Sequence, residues 1–169
     1  MINLLLLRHA KSDWNSHNGK DFERDIQKKG ELRTEKICKF LNDNGVIISK
    51  VLCSTALRTV KTYEIIFKSY KNRFNVKFLD ELYHATADNI LEILRKQKNE
   101  KSVMIIGHEP SLSELVRVMS NTVKDNSHFD AINSYVTSGL CSLSFKVTNW
   151  EDISKKNSEF NFYIKPKDL

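Results

Sequence analysis

Glycine and proline are scarce in this chain, five and two residues among 169. No Pro/Gly/Ser-rich linker, repeat or low-complexity tract divides it, so the expectation is one domain over residues 1–169. Cysteine is scarce too. Cys38, Cys53 and Cys141 lie far apart with no CxxC pair, which argues for reduced thiols and against a disulfide framework or a zinc site. Apolar runs are short. None approaches the roughly 20 residues of a membrane-spanning helix, and "MINLLLLRHA" has neither the length nor the basic flank of a secretory signal. The expected address is the cytoplasm, with no membrane partner. There is no GxxxxGK[ST] phosphate loop and no HExxH metal motif.

What is present is an ordinary globular composition, 40% hydrophobic and 28% charged, with a net charge of +6. A solvated lysine-rich surface accounts for that charge. Attraction to anionic partners is the alternative, but no aromatic-interleaved basic stripe supports a nucleic-acid partner.

Apolar runs alternate with helical patterns. "NLLLL", "KVLCS", "NVKFL" and "SVMIIG" read as strands. Between them come a helix over 31–43, a second carrying Ala56, Val60, Tyr63 and Phe67, and a third carrying Ala87, Ile90, Leu91 and Leu94. After "SVMIIG", "SLSE" has the form of a capping box at Ser111 and Glu114. This alternation predicts an α/β fold: three αβα layers around a mainly parallel sheet. "LCSLSFKV" and "FNFYIKP" alternate with period two and read as antiparallel C-terminal strands added near one edge. Residues 120–135 are weakly patterned and read as a loop.

In such sheets ligands bind beyond the carboxyl ends of the strands. Arg8 and His9 follow the first strand. Ser54 and, one turn on, Arg58 follow the second, Glu81 the third and His108 the fourth. Singly, a histidine is more often a satisfied structural residue than a catalyst, and His17, His84 and His128 are read that way. Jointly, four strand ends deliver two arginines, two histidines and a carboxylate to one rim. Two guanidinium forks and two imidazoles suit the oxygens of a transferring phosphoryl group, and an imidazole nitrogen can itself attack phosphorus. No metal or cofactor is expected, because Mg²⁺-type carboxylate pairs are missing from the strand ends.

At these residues the chain resembles the histidine phosphatase superfamily. "LLLLRHAKSDWN" is similar to its "RHG" opening, and "RHA" followed by "KSDW" resembles the SixA-type phosphohistidine phosphatase branch. The likeness runs on through "FERDIQKKG", "CSTALRTVKT", "ELYHATADNILEIL" and "MIIGHEPSLSELV" to "NWEDI" and "FYIKPKDL". It implies that His9 becomes phosphorylated while Arg8, Arg58 and His108 hold the phosphoryl oxygens. It further implies that Asn15 matches an asparagine that contacts phosphate, and that Glu81 falls where ester-cleaving relatives keep a proton donor. Ala10 replaces the commoner glycine, and Asp25 and Thr55 stand where the branch often has proline. Residues 82–102 hold one short helix and no cap, which suits a phosphoryl group presented on another protein. The expected activity is a metal-independent phosphohistidine phosphatase acting on a phosphorylated protein of the histidine-phosphotransfer type. A small-molecule phosphomonoesterase is the alternative enzyme, and a non-catalytic anion- or nucleic-acid-binding module the rival from another class.

Overall fold

Leu4, Leu5, Leu6 and Leu7 are all buried, which a strand achieves only when both of its faces are covered. The computed structural model describes residues 1–169 apart from the side chain of His17. Its strands are β1 (Ile2–Arg8), β2 (Lys50–Ser54), β3 (Asn75–Leu79), β4 (Ser102–Gly107), β5 (Leu140–Phe145) and β6 (Ser158–Ile164). They form one sheet in the order β3-β2-β4-β1-β5-β6. The first four are parallel, and β5 and β6 run antiparallel at one side, as the C-terminal alternation indicates.

The two faces divide the apolar runs by parity. Leu4, Leu6, Val103 and Ile105 pack under α3 (Ala87–Arg95), α4 (Ser111–Met119) and α5 (Asn126–Asn133). Leu5, Leu7, Met104 and Ile106 pack under α1 (Lys28–Asp43) and α2 (Leu57–Ser69). Between β3 and β4 there is only a short 3₁₀ turn at Asp80–Leu82 and α3. Register then fixes the rim: Arg8 is level with Gly107 across the β1–β4 pair, and Ser54 with Leu79 across β2–β3. The residues after these positions therefore leave the sheet side by side.

Three local expectations are corrected. Residues 120–135 contain α5, whose Asp125 cap accepts the His128 N–H. Only His128, Ala131 and Ile132 of it are buried, and a histidine stacked 4.0 Å from Phe160 takes a place where an apolar residue would have betrayed the helix. In α2 the buried face is Arg58, Thr59, Thr62 and Ile66, while Phe67 is exposed. Thr59 and Thr62 can be buried because their hydroxyls donate to Ser54 O and Arg58 O. The Ser111–Glu114 capping box does not form: the Glu109 carboxylate accepts from the Ser113 N–H and hydroxyl instead.

The loop after β1 is clamped against the start of α1. Gln27 N–H donates to Lys11 O at 2.8 Å, and Asp13 N–H to Asp25 O at 2.8 Å. Asp25 N–H bonds Ser16 Oγ, a contact that proline in its place would forfeit. Gly30 makes the clamp possible, since a Cβ there would lie 2.6 Å from Lys11 O and 2.8 Å from Lys11 N. Both are backbone atoms, with no flexible side chain to yield. Gly30→Ala is expected to cost about 1–3 kcal/mol in urea unfolding. It should also push away the loop that follows His9. Unchanged stability and unchanged activity would contradict this account of the clamp.

Candidate active site

Arg8, His9, Arg58 and His108 line one cleft of about 560 Å³ beyond the ends of β1, β2 and β4. All four come from positions dictated by the strand ends. His9 follows β1, and its N–H donates to Gly107 O across the parallel pair. Its ring centroid lies 5.3 Å from that of His108. Thr62 Oγ1 accepts the Ala10 N–H at 2.8 Å, which pins the chain just after the histidine. Ala10 is fully buried and leaves room for this.

The state of His9 follows from its partner. Nδ1 lies 2.8 Å from Ala10 O; a carbonyl only accepts, so Nδ1 carries the proton and Nε2 keeps its lone pair. Burial pushes the imidazole well below its ordinary range; the Ala10 bond opposes this, and His108, Arg58 and Arg8 add to it. His108 is held down to about 3, by burial first and then by Arg58. Its Nε2 is 2.8 Å from Ser54 Oγ. Both rings are therefore neutral at neutral pH.

Three buried nitrogens here have no hydrogen-bond partner among the described residues: Arg8 Nε, Arg58 Nε and His108 Nδ1. Buried donors are rarely left unmade, because each costs on the order of 1–3 kcal/mol. Their concentration in one cleft leaves polar capacity there that a ligand could satisfy. Arg8 is steadied by Nη1 donating to Tyr135 O at 2.6 Å. Arg58, only 5% exposed, donates through Nη1 to Asp21 O and through Nη2 to Asp21 Oδ2.

Asp21, Arg24 and Tyr83 were not identified by sequence reasoning, yet all line the cleft. Asp21 gathers Arg58, the Tyr83 hydroxyl at 2.5 Å and Arg24 at 3.0 Å. Burial works to raise its carboxyl, but Tyr83 and the two arginines overcome this and hold it at about 2. Arg24 also bonds Ser12 Oγ and lies 3.7 Å over the Trp14 ring. The signal available was the i, i+3 pair of Asp21 and Arg24 inside "KDFERD". Nothing in the spacing, however, tied it to Tyr83.

Two expected residues lie elsewhere. Glu81 is exposed and lines a separate hollow with Lys50, Lys77 and Lys96. It belongs to the 3₁₀ turn Asp80–Leu82, in which Leu82 takes the buried position and the tight turn carries Glu81 off that face. Asn15 is exposed as well, because its N–H closes onto Asp13 Oδ1 and turns the residue outward. Thr55, in the other position where proline is common, bonds Asp80 Oδ1. Among the remaining histidines, His84 joins the cleft in a left-handed conformation with φ 59. His128 is structural, and the His17 side chain lies outside the described residues. Among the described residues no three His, Cys, Asp or Glu side chains cluster as metal ligands, and no helix is long and apolar enough to cross a membrane.

Residues 4–84 match the family model for the histidine phosphatase superfamily, branch 1. An uncharacterized protein of Mycobacterium leprae is 24% identical over 166 residues, which is 95% of this chain and 100% of that one. A SixA-type structure from Agrobacterium tumefaciens shares 25% identity, covers 98% of both chains and superposes with a TM-score of 0.81. A protein histidine phosphatase SixA solved with tungstate has the same fold, with a TM-score of 0.81 at 20% identity over 99% of both chains. With the "RHA" strand end and the two-arginine, two-histidine cleft in place, these likenesses converge: residues 4–84 are similar to the histidine phosphatase superfamily, branch 1, and the whole chain is similar in fold to SixA-type structures.

Proposed function

We propose that this protein is a phosphatase that works through a phosphohistidine on His9, with protein phosphohistidine as its substrate. One observation carries the reading. The His9 ring is fixed with its proton on Nδ1, facing Ala10 O, and its other nitrogen unprotonated in a cleft with three unpartnered buried nitrogens. The Nε2 lone pair attacks phosphorus as the bond from phosphorus to the leaving nitrogen breaks. Arg8 and Arg58 hold the equatorial oxygens, where charge is greatest in the transition state. His108 helps if Ser54 donates to its Nε2, which leaves the ring proton on the unpartnered Nδ1. Water then attacks the phosphorylated His9, forming the new P–O bond as the P–Nε2 bond breaks. The positive charge comes from guanidinium groups, so no metal is called for. A protein histidine phosphatase SixA of the same fold has been solved with tungstate, an oxyanion shaped like phosphate, which is in keeping with this reading.

The choice of substrate follows from the leaving group. An alkoxide needs a proton from a positioned acid, worth roughly 10²–10⁴ in rate; a departing imidazole is far less basic. Glu81 lies outside the cleft, and no cap segment covers it, so an N–P bond on another protein fits better than a sugar phosphate.

Incubation with a radiolabelled phosphodonor in EDTA should leave alkali-stable, acid-labile label on the protein, and His9→Ala should remove it. Equal labelling of the variant would overturn the nucleophile, and a need for added Mg²⁺ the metal-free chemistry.

The depressed His9 sets the pH dependence. Protonation at Nε2 destroys the nucleophile, so activity falls with falling pH, but only below the pKa of the folded site. Label formation in single turnovers should stay flat down through about pH 6.5, the ordinary imidazole value, and drop in more acidic buffer. A midpoint at or above that value would contradict the burial argument.

Glu81→Gln should leave turnover of a phosphorylated histidine-phosphotransfer protein far closer to normal than the ~10²–10⁴-fold loss expected for a removed proton donor. A severe loss, together with preference for sugar phosphates over the phosphoprotein, would favour the esterase.

A further inference from the structure

Three carboxylates line the cleft: Asp21, Glu109 and Glu114. Two are fully engaged. Asp21 is taken up by Arg24, Arg58 and Tyr83. Glu109 receives the Ser113 N–H and hydroxyl at 2.9 and 2.6 Å. Glu114 differs. It stands in the first turn of α4, half-buried, and among the described residues its carboxylate enters no hydrogen bond or ion pair. Burial raises Glu109's hold on its proton, and Glu114 is near enough to add to that rise.

A free carboxylate beside an arginine-rich floor divides the cleft electrostatically. The floor takes the phosphoryl group. A group flanking the phosphorylated side chain would then meet Glu114 on the wall of the same cleft. A second anion on the substrate, such as another phosphate or a nearby carboxylate, is repelled there, and a neighbouring lysine or arginine is attracted. The chain's overall charge of +6 acts on every ligand from a distance and is screened within about 10 Å at 0.1 M salt; Glu114 acts locally, once the phosphoryl group is seated.

We propose that Glu114 is a specificity residue that selects phosphohistidine segments with a basic residue next to the phosphorylated histidine and rejects substrates with a second anion there. This inference rests on the phosphohistidine reading given above. For unit charges several ångströms apart in a partly solvated cleft, the preference should be about three- to tenfold.

The test uses two synthetic phosphohistidine peptides that differ only in flanking residues, lysine in one and glutamate in the other. The readout is the ratio of their kcat/KM values. The wild-type protein should favour the lysine peptide by about three- to tenfold, and 1 M salt should shrink the ratio. Glu114→Gln should bring it close to the ratio that overall charge alone gives, and Glu114→Lys should invert it. Turnover of both peptides with a ratio unaltered in both variants would overturn the assignment of Glu114 and leave the phosphohistidine reading standing. Failure to turn over either peptide would overturn that reading and this inference with it.

Discussion

The β1–β4 pairing sets Arg8 opposite Gly107, and the chemistry of the cleft depends on that register. A slip of β1 by one residue would reverse its parity and turn Leu5 and Leu7 toward the wrong helices. Because both faces of both strands are buried, such a slip would misplace apolar side chains throughout the two cores. The core therefore fixes, with its full packing energy, where His9 and His108 emerge. The two imidazoles, 5.3 Å apart, are thus held in place by residues outside the cleft.

That arrangement has an energetic cost within the site. Two guanidinium groups and two imidazoles are brought out of water, and three of their nitrogens find no partner among the described residues. Asp21 offsets part of the cost. It ties the loop after β1 to Arg58 on α2 and to Tyr83 beyond β3, with sequence separations of 37 and 62 residues, so one carboxylate both balances charge and joins three segments. It leaves Arg58 Nε without a partner among the described residues, energy that an anion in the cleft would recover. Strain and unmet bonding of this kind cost stability and favour ligand binding, the usual exchange at functional sites.

The strand-end residues were legible in the sequence because a strand covered on both faces prints as an unbroken apolar run, and Arg8, His9 and His108 directly follow such runs. Arg58 was legible at one helical turn from the next. Asp21, Arg24 and Tyr83 were not, since they sit in segments without periodicity and meet through the path of the chain, which local pattern does not encode. α5 was hidden for a related reason: His128 fills an apolar position by stacking on Phe160 while both ring nitrogens are satisfied, by Ser120 Oγ and the Lys124 N–H. Glu81 shows the limit of counting residues after a strand. Position along the chain brought it to the rim, but the burial of Leu82 decided which way the turn faced.

The displacement of Glu81 also bears on how the remaining groups divide the work. Inside the cleft, Glu109 is held by Ser113 and Asp21 by two arginines and a tyrosine, which leaves Glu114 as the one unengaged carboxylate among the described residues of the cleft. His108, held at about 3, carries no proton beyond that of its neutral ring. On the proposed reading, the arginines and imidazoles of the cleft invest in the phosphoryl oxygens rather than in the leaving atom. Such an investment suits a bond whose leaving atom needs little help, and the N–P bond of a phosphorylated histidine is of that kind. On that reading, the open rim and the unengaged Glu114 leave discrimination to the residues that surround the phosphorylated side chain, on the partner's surface rather than inside the cleft.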